Sequence, residues 1–137
     1  MGYGLEVDLI AAARDLDLLT TPYVFSAADA RAMTEAGAGI IVCPTGPAIG
    51  GAIGAETAKS LGGCVRLIGQ WAAAARDARD GIIVLCHGGP IAAPGDAEYV
   101  LRKAATCHGS YGAGSMERLP AEQAITEPTR AFKQVTF

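Results

Sequence analysis

The sequence predicts an α/β fold in which parallel strands alternate with helices, and two observations predict it. Short runs of apolar or β-branched residues lack the alternation of a half-exposed strand, which is typical of strands buried on both faces. Segments with apolar residues at helical spacing separate these runs, and such an order implies parallel strands joined by right-handed crossovers. Periodicity alone leaves open both a small open sheet and half of an eight-stranded barrel.

The composition supports this class and excludes several others. The chain has 137 residues, 50% of them hydrophobic and 18% charged, so it predicts one globular domain over residues 1–137 rather than a disordered chain. A net charge of −3 without a basic stripe argues against a nucleic-acid partner. No apolar run approaches the ~20 residues that span a bilayer, and the first residues lack the pattern of a signal peptide. We therefore expect no membrane association and a cytoplasmic location.

Four strands are predicted from the apolar runs. They are Leu18 to Phe25, Gly39 to Cys43, Gly81 to Cys86 and His108 to Gly114. The last is the weakest of the four, because three glycines dilute it and glycine disfavours strands.

Five helices are predicted around these strands. Ahead of the first strand, apolar residues from Leu5 to Leu16 recur at helical spacing. Ser26 and Asp29 form a capping-box-like start for the second helix, which Gly37 can end.

The other three helices follow from similar evidence. Val65 to Ala75 carry one apolar stripe of a long helix. Pro94 suits the first turn of a helix that continues to Ala104. Pro120 opens the fifth helix, and Pro128 is expected to kink or break it, because proline lacks a backbone donor and clashes with the preceding turn.

Ligands of a parallel α/β unit bind at the carboxyl ends of its strands, and this rule selects four places. The first is the end of the first strand, with Tyr23 and Phe25, where the hydroxyls of Thr20 and Thr21 can bind a ligand oxygen or a neighbouring backbone carbonyl.

The second place is the long loop from Pro44 to Gly54. Its glycines Gly46, Gly50 and Gly51 let backbone N–H groups approach an anion or let a lid move, and a plain glycine-rich surface loop is the equal alternative.

The third place is the sequence CHGGP directly after the clearest strand. His87 lies where a general acid/base or a phosphate contact is expected, and Gly88 and Gly89 offer consecutive N–H groups to an anion. A histidine that only caps a turn is the alternative.

The fourth place is the sequence GAGSMER after the last strand. Gly112, Gly114 and Ser115 can donate to a phosphate, as the loops after the last two strands of a closed barrel often do. Glu117 is a second candidate catalytic residue, although a helix start also favours a carboxylate for its dipole.

The cysteines are expected to be reduced thiols. They lie far apart and form no C-x-x-C pair, namely Cys43, Cys64, Cys86 and Cys107. Cys-His-Gly occurs twice, but His108 begins its strand and so lies at the opposite end from His87. No spacing is typical of zinc, so no metal ligand is predicted. Cys43 or Cys86 with a histidine could act as a nucleophile, although no orienting third residue is evident.

Three segments of the chain resemble a known family. LDLLTTPYVFSAADARAMTEAGA, VLCHGGPIAAPGDAEYVL and GSYGAGSMERLPAEQAITEPTRAFK are similar to the phosphoenolpyruvate hydrolase-like family, also described as TIM-barrel signal transduction proteins. The resemblance implies a TIM (β/α)8 barrel of the indole-glycerol-phosphate-synthase-like class. It also implies that this chain supplies the C-terminal half, with about four strands and five helices.

The resemblance implies a small phosphorylated or carboxylated metabolite, phosphoenolpyruvate-like, bound at the carboxyl ends of the strands. Amides around Gly88, Gly89, Gly114 and Ser115 would hold the phosphate and His87 would act as acid or base, for hydrolysis at phosphorus or for carbon–carbon chemistry at an enolate. Mg²⁺ would suit an enolate, but the expected carboxylates are missing from these strand ends.

Two other classes of function stay open. One is a non-catalytic signalling or ligand-binding module, favoured by the scarcity of acid/base residues. The other is a truncated half-barrel that acts only through association. Because a half-barrel has two unpaired edges, we expect a homo-oligomer or pairing with a missing N-terminal half.

Overall fold

The computed structural model describes residues 3–47, 49 and 59–135. Within them it has five helices and three strands. In chain order these are α1 (Gly4–Asp15), α2 (Ala27–Glu35), β1 (Ile40–Pro44), α3 (Leu61–Ala78), β2 (Ile83–His87), α4 (Pro94–Lys103), β3 (Gly109–Ser110) and α5 (Arg118–Lys133). The predicted α/β class and the five helices are confirmed.

The strands form one parallel sheet in the order β1-β2-β3. The β1–β2 register pairs Ile40 with Ile83 and Pro44 with His87, so both strands end at the same level. β3 is short, and its Gly109 pairs with Leu85 of β2. Because the strands are parallel, their carboxyl ends all lie at the same end of the sheet, as expected for strands joined by crossover connections.

The first predicted strand is not a regular strand, and this corrects the expected count of four. A single parallel bridge joins Tyr23 to Val42. The backbone still follows β1: the Val24 N–H donates to the Val42 carbonyl at 3.0 Å, and the Val42 N–H donates to the Pro22 carbonyl at 2.9 Å. Because Pro22 has no N–H, the ladder is interrupted there. Residues 20–24 thus form an extended edge segment beside β1.

Two other boundaries differ from the sequence prediction. The last strand is reduced from His108–Gly114 to Gly109–Ser110, because the glycine-rich residues beyond it turn toward α5. Helix α5 begins at Arg118 and continues through Pro128 to Lys133, so of the two predicted effects, a kink or a break, the break does not occur. No residue of α5 is buried, so solvent can donate to the carbonyl that the missing N–H of proline leaves free.

The predicted start and end of α2 are confirmed. The Asp29 N–H donates to Ser26 Oγ at 3.0 Å, and Asp29 Oδ2 accepts from the Phe25 N–H at 3.2 Å. Gly37 follows the helix with a φ of 104°, the left-handed region that ends many helices. This cap fixes the direction in which the chain leaves the edge segment.

The core lies between the sheet and helices α2, α3 and α4. Its largest fully buried side chains include Met33, Ile41, Ile68, Val84 and Val100. All four cysteines are free and buried. Burial and the neighbouring Cys86 thiol raise the pKa of Cys43 to about 12, so this thiol stays protonated and packs as a small apolar side chain.

The other side of the sheet and the two outer helices keep apolar surface exposed. Ile83 on β2 is 43% exposed, and Leu9 on α1 and Phe132 on α5 are 66% and 80% exposed. The edge segment and β3 are the two outer edges of the described sheet. In the described residues, no helix combines the length and the hydropathy needed to cross a bilayer.

Candidate functional site

A cavity of about 620 Å³ opens at the carboxyl ends of the strands. His87, the last residue of β2, reaches it, and the edge segment and the loop after β1 form two of its walls. Its described lining is Tyr23, Phe25, Pro44, Gly46, Pro47, Lys59, Leu67, Trp71 and His87. The third predicted place therefore lies in a cavity with parts of the first and second.

The His87 ring is held by hydrogen bonds at both nitrogens. Nδ1 lies 2.6 Å from the Tyr111 carbonyl oxygen, and Nε2 lies 3.2 Å from the Tyr23 hydroxyl. Because a carbonyl only accepts, Nδ1 carries a proton, and in the neutral form of the ring Nε2 accepts from the Tyr23 hydroxyl. Nε2 is therefore the nitrogen that can take up a proton.

Aromatic packing fixes the same geometry. The Tyr23 and His87 rings are stacked, with centroids 5.1 Å apart and planes at 23°, and Tyr111 packs edge-on against His87 at 6.0 Å. The Tyr3 hydroxyl donates to the Tyr23 carbonyl at 2.8 Å, which ties helix α1 to this wall. Burial, with the nearby carboxylates of Asp29 and Glu6, raises the pKa of Tyr3, so this phenol remains a donor.

Hydrogen bonds join the loops after β1 and β2. The Thr45 N–H donates to the His87 carbonyl at 2.9 Å, the Thr45 hydroxyl to the Gly88 carbonyl at 2.9 Å, and the Gly89 N–H to the Gly46 carbonyl at 2.8 Å. Gly46, Gly88 and Gly89 all have positive φ values. In this structure these glycines allow the close approach of the two loops, and the N–H of Gly89 is used within the protein.

Lys59 adds a positive charge that the sequence analysis missed. Its Nζ donates to the Thr45 carbonyl at 3.3 Å, and the side chain lines the cavity. Its position just before Ser60, which caps α3, was the only available signal. The phenol of Tyr23 and the carbonyl of Tyr111 were also missed as partners of His87, because each contact is distant in sequence.

The fourth predicted place lies next to His87 through Tyr111. Within the described part of the chain, the N–H groups of Gly112, Gly114 and Ser115 donate to no protein acceptor. Glu117 is exposed at the start of α5, and no hydrogen bond joins its carboxylate to His87 among the described residues. The structure thus places Tyr111, and with it the start of this segment at Gly112, beside the histidine, whereas Ser115 lines a separate cavity with residues of α4.

Other predicted residues lie elsewhere. Gly50 and Gly51 lie outside the described residues. Thr20 Oγ1 is buried without a hydrogen-bond partner. The Val84 N–H donates to His108 Nδ1 at 3.0 Å, which gives His108 a structural role beside the ladder, away from the carboxyl edge.

Mg²⁺ is not matched by the residues of this cavity. Its described lining contains no carboxylate, and in the described ranges no three His, Cys, Asp or Glu side chains come together. Because Mg²⁺ prefers carboxylate and other oxygen ligands, the described lining of this cavity does not fit this ion.

The family follows from comparison with known proteins. A family model described as phosphoenolpyruvate hydrolase-like matches residues 1–135. The chain belongs to the phosphoenolpyruvate hydrolase-like family. The ToMV resistance protein Tm-1(GCR237) of Solanum lycopersicum is 52% identical over 137 residues, which are all of this chain and 18% of that protein.

Two further similarities are more distant. A putative transcriptional regulatory protein, y4pA, of Sinorhizobium fredii is 28% identical over 98% of this chain and 22% of its own length. A nitroalkane oxidase from Streptomyces ansochromogenes superposes with a TM-score of 0.50 and 27% identity, over 90% of this chain and 36% of that one. The oxidase has a TIM-barrel-like enzyme fold. This chain thus spans about a fifth of the curated relatives that it matches.

Proposed function

We propose that this member of the phosphoenolpyruvate hydrolase-like family binds a small phosphorylated or carboxylated metabolite in the cavity beside His87. The observation that carries the proposal is the arrangement of His87: Nδ1 is anchored on the Tyr111 carbonyl, and Nε2 faces Tyr23 in a cavity that also contains Lys59. An imidazole held in one orientation in a cavity that also contains an ammonium group suits an anion that must gain or lose a proton.

The parts of the cavity take complementary roles in this proposal. The Lys59 ammonium attracts the anion. The Gly112 N–H directly follows the Tyr111 carbonyl that meets His87, has no protein acceptor among the described residues, and offers a second donor near the histidine. His87 Nε2 takes a proton from a bound water or through the Tyr23 hydroxyl. For an enol phosphate, attack of that water at phosphorus would break the bond between phosphorus and the enol oxygen. The proton on Nε2 would then pass to the departing oxygen, which leaves phosphate and an enol that becomes a ketone.

Titration calorimetry with phosphoenolpyruvate tests the binding step. We expect Lys59→Met to weaken binding about tenfold or more, because a charged hydrogen bond is worth roughly 1.5–3 kcal/mol. The matched control is Lys103→Met, whose ammonium lies 4.5 Å from the Tyr99 ring centroid on α4 and should leave the affinity unchanged. Equal affinity in wild type and Lys59→Met, or no binding by the wild type, would contradict the proposal.

A non-catalytic signalling or ligand-binding module is the second candidate function. The observation that favours it is the scarcity of acid/base groups: in the described lining His87 has no carboxylate beside it. Glu117, the other candidate, forms no hydrogen bond with His87 among the described residues. Binding of phosphoenolpyruvate without release of pyruvate or phosphate would support this candidate. Free buried thiols fit either function in the reducing cytoplasm, where we propose that the chain acts.

We also propose that this chain is one half of a barrel and that further parallel strands pair at its two outer edges to close it. Those strands would come from a second copy or from an N-terminal half of a longer polypeptide. The unpaired edges themselves and the exposed apolar side chains on α1, β2 and α5 support this, because unpaired strands and exposed apolar surface both favour association. Light scattering of the purified chain is expected to give a discrete dimer of twice 13.9 kDa. A monodisperse monomer would exclude the second copy.

A further inference from the structure

The cavity beside His87 is larger and more aromatic than a three-carbon metabolite needs. Its volume is about 620 Å³, within the range of cavities that hold drug-sized ligands. Three aromatic side chains line it besides the histidine, namely Tyr23, Phe25 and Trp71. An anion alone would use Lys59 and leave most of these walls in contact with water.

The aromatic walls come from separate elements and have different exposures. Tyr23 lies on the edge segment and Phe25 directly follows it, and their side chains are 39% and 59% exposed. Trp71 of α3 is 7% exposed and forms the inner wall. Phe25 is not loose, because the Tyr3 ring packs edge-on against it at 6.5 Å. Exposed aromatic faces held in place at a cavity are uncommon on a surface that binds nothing.

The polar groups of the cavity lie together with these walls. Lys59 offers an ammonium group, and the Tyr23 hydroxyl with His87 Nε2 forms a second polar point. The stacking of Tyr23 on His87, with planes 23° apart, shows that flat rings pack face to face here. A cation beside flat apolar walls is complementary to an anion that carries a planar ring.

We infer that the ligand of this cavity is an anion that carries a planar aromatic or conjugated ring, with the ring against Phe25 and Trp71 and the anionic group at Lys59. The inference rests on the proposed function, because it takes the anion site at Lys59 as given, and it adds the chemical class of the rest of the ligand.

Three phosphate monoesters that share the anionic group and differ in the attached organic group test this inference. Binding of phenyl phosphate, cyclohexyl phosphate and methyl phosphate would be followed by calorimetry and by the fluorescence of Trp71, the single tryptophan of the chain. We expect phenyl phosphate to bind about tenfold more tightly than methyl phosphate, since burying a ring is worth roughly 1.5–3 kcal/mol. Cyclohexyl phosphate should bind more weakly than phenyl phosphate, because a puckered ring does not fit between flat walls.

Variants identify where the ring binds. Phe25→Leu should reduce the preference for phenyl over methyl phosphate to below about threefold, because it removes one flat wall. The matched control is Phe132→Leu on α5, where the phenyl ring is 80% exposed and the preference should stay at the wild-type value. Lys59→Met should weaken all three esters by a similar factor.

Each contrary outcome has one meaning. Equal affinity for the three esters, all weakened by Lys59→Met, would overturn the inference and leave the proposed anion site intact. A wild-type preference for phenyl phosphate that Phe25→Leu does not change would also overturn the inference, because the ring would then bind elsewhere. Absence of binding by all three esters would overturn the inference and the anion site together.

Discussion

Replacing His87 with asparagine is expected to lower turnover of phosphoenolpyruvate by about 10²–10⁴-fold, the usual contribution of a positioned acid or base. The asparagine amide can still donate to the Tyr111 carbonyl, as Nδ1 does now at 2.6 Å. It has no basic nitrogen to replace Nε2, which faces the Tyr23 hydroxyl at 3.2 Å. The variant therefore separates proton transfer from the position of the side chain. Release of pyruvate and phosphate is the measurement.

Two comparisons make this result specific. Tyr23→Phe keeps a ring stacked on the histidine and removes only the hydroxyl, so it should lower turnover less than His87→Asn does if a bound water is the proton donor. Calorimetry should give His87→Asn nearly the wild-type affinity for phosphoenolpyruvate, because Lys59 still holds the anion. Unchanged turnover in His87→Asn would remove the acid/base role from this residue.

Replacing Gly88 with alanine is expected to destabilise the protein by about 1–3 kcal/mol from backbone strain alone. Gly88 has a φ of 63°, and a Cβ there would lie 2.6 Å from the Gly46 carbonyl oxygen. That oxygen belongs to backbone and accepts from the Gly89 N–H, so it cannot move aside without loss of a hydrogen bond. The variant should also disturb the walls on both sides of His87.

Urea unfolding followed by Trp71 fluorescence measures this effect. The matched control is Gly95→Ala in α4, where a Cβ would meet no atom within 4 Å. It should leave the free energy of unfolding unchanged or raise it by up to ~1 kcal/mol, since alanine is the better helix former. Wild-type stability in Gly88→Ala would mean that the two loops can separate freely, and the glycines would then be available for a ligand.

Most of the local structure follows from short-range signals. The apolar runs predict β1 and β2, and helical spacing, capping residues and prolines in first turns together predict the five helices. The start of α2 depends on Ser26 and Asp29, which are three residues apart and form their hydrogen bond without help from the rest of the fold. His87 could be assigned to the end of β2, because a parallel strand and its following loop have a known direction.

The incorrect sequence predictions concern the strands at the edges of the sheet and the effects of prolines. Residues 20–24 run alongside β1, but Pro22 interrupts the ladder of hydrogen bonds. The length of β3 depends on how many of its residues lie within hydrogen-bonding distance of β2. Pro128 disrupts a helix only where its lost hydrogen bond has no substitute, and α5 is exposed to solvent. Local propensity cannot anticipate these outcomes, because exposure and pairing are properties of the assembled chain.

The α/β class, the helices and the position of His87 at a strand end follow from the amino-acid sequence alone, since each depends on residues a few positions apart. The surroundings of that histidine follow from the packing of the folded chain. Tyr23 is 64 residues from His87 in the chain, and they meet because sheet order and register bring the edge segment and β2 to one level. Lys59 and Trp71 reach the same cavity through the packing of α3, and Phe25 reaches it from the chain that follows the edge segment. Such contacts depend on how helices and strands pack together, and the periodicity of the sequence does not specify which strand ends become neighbours.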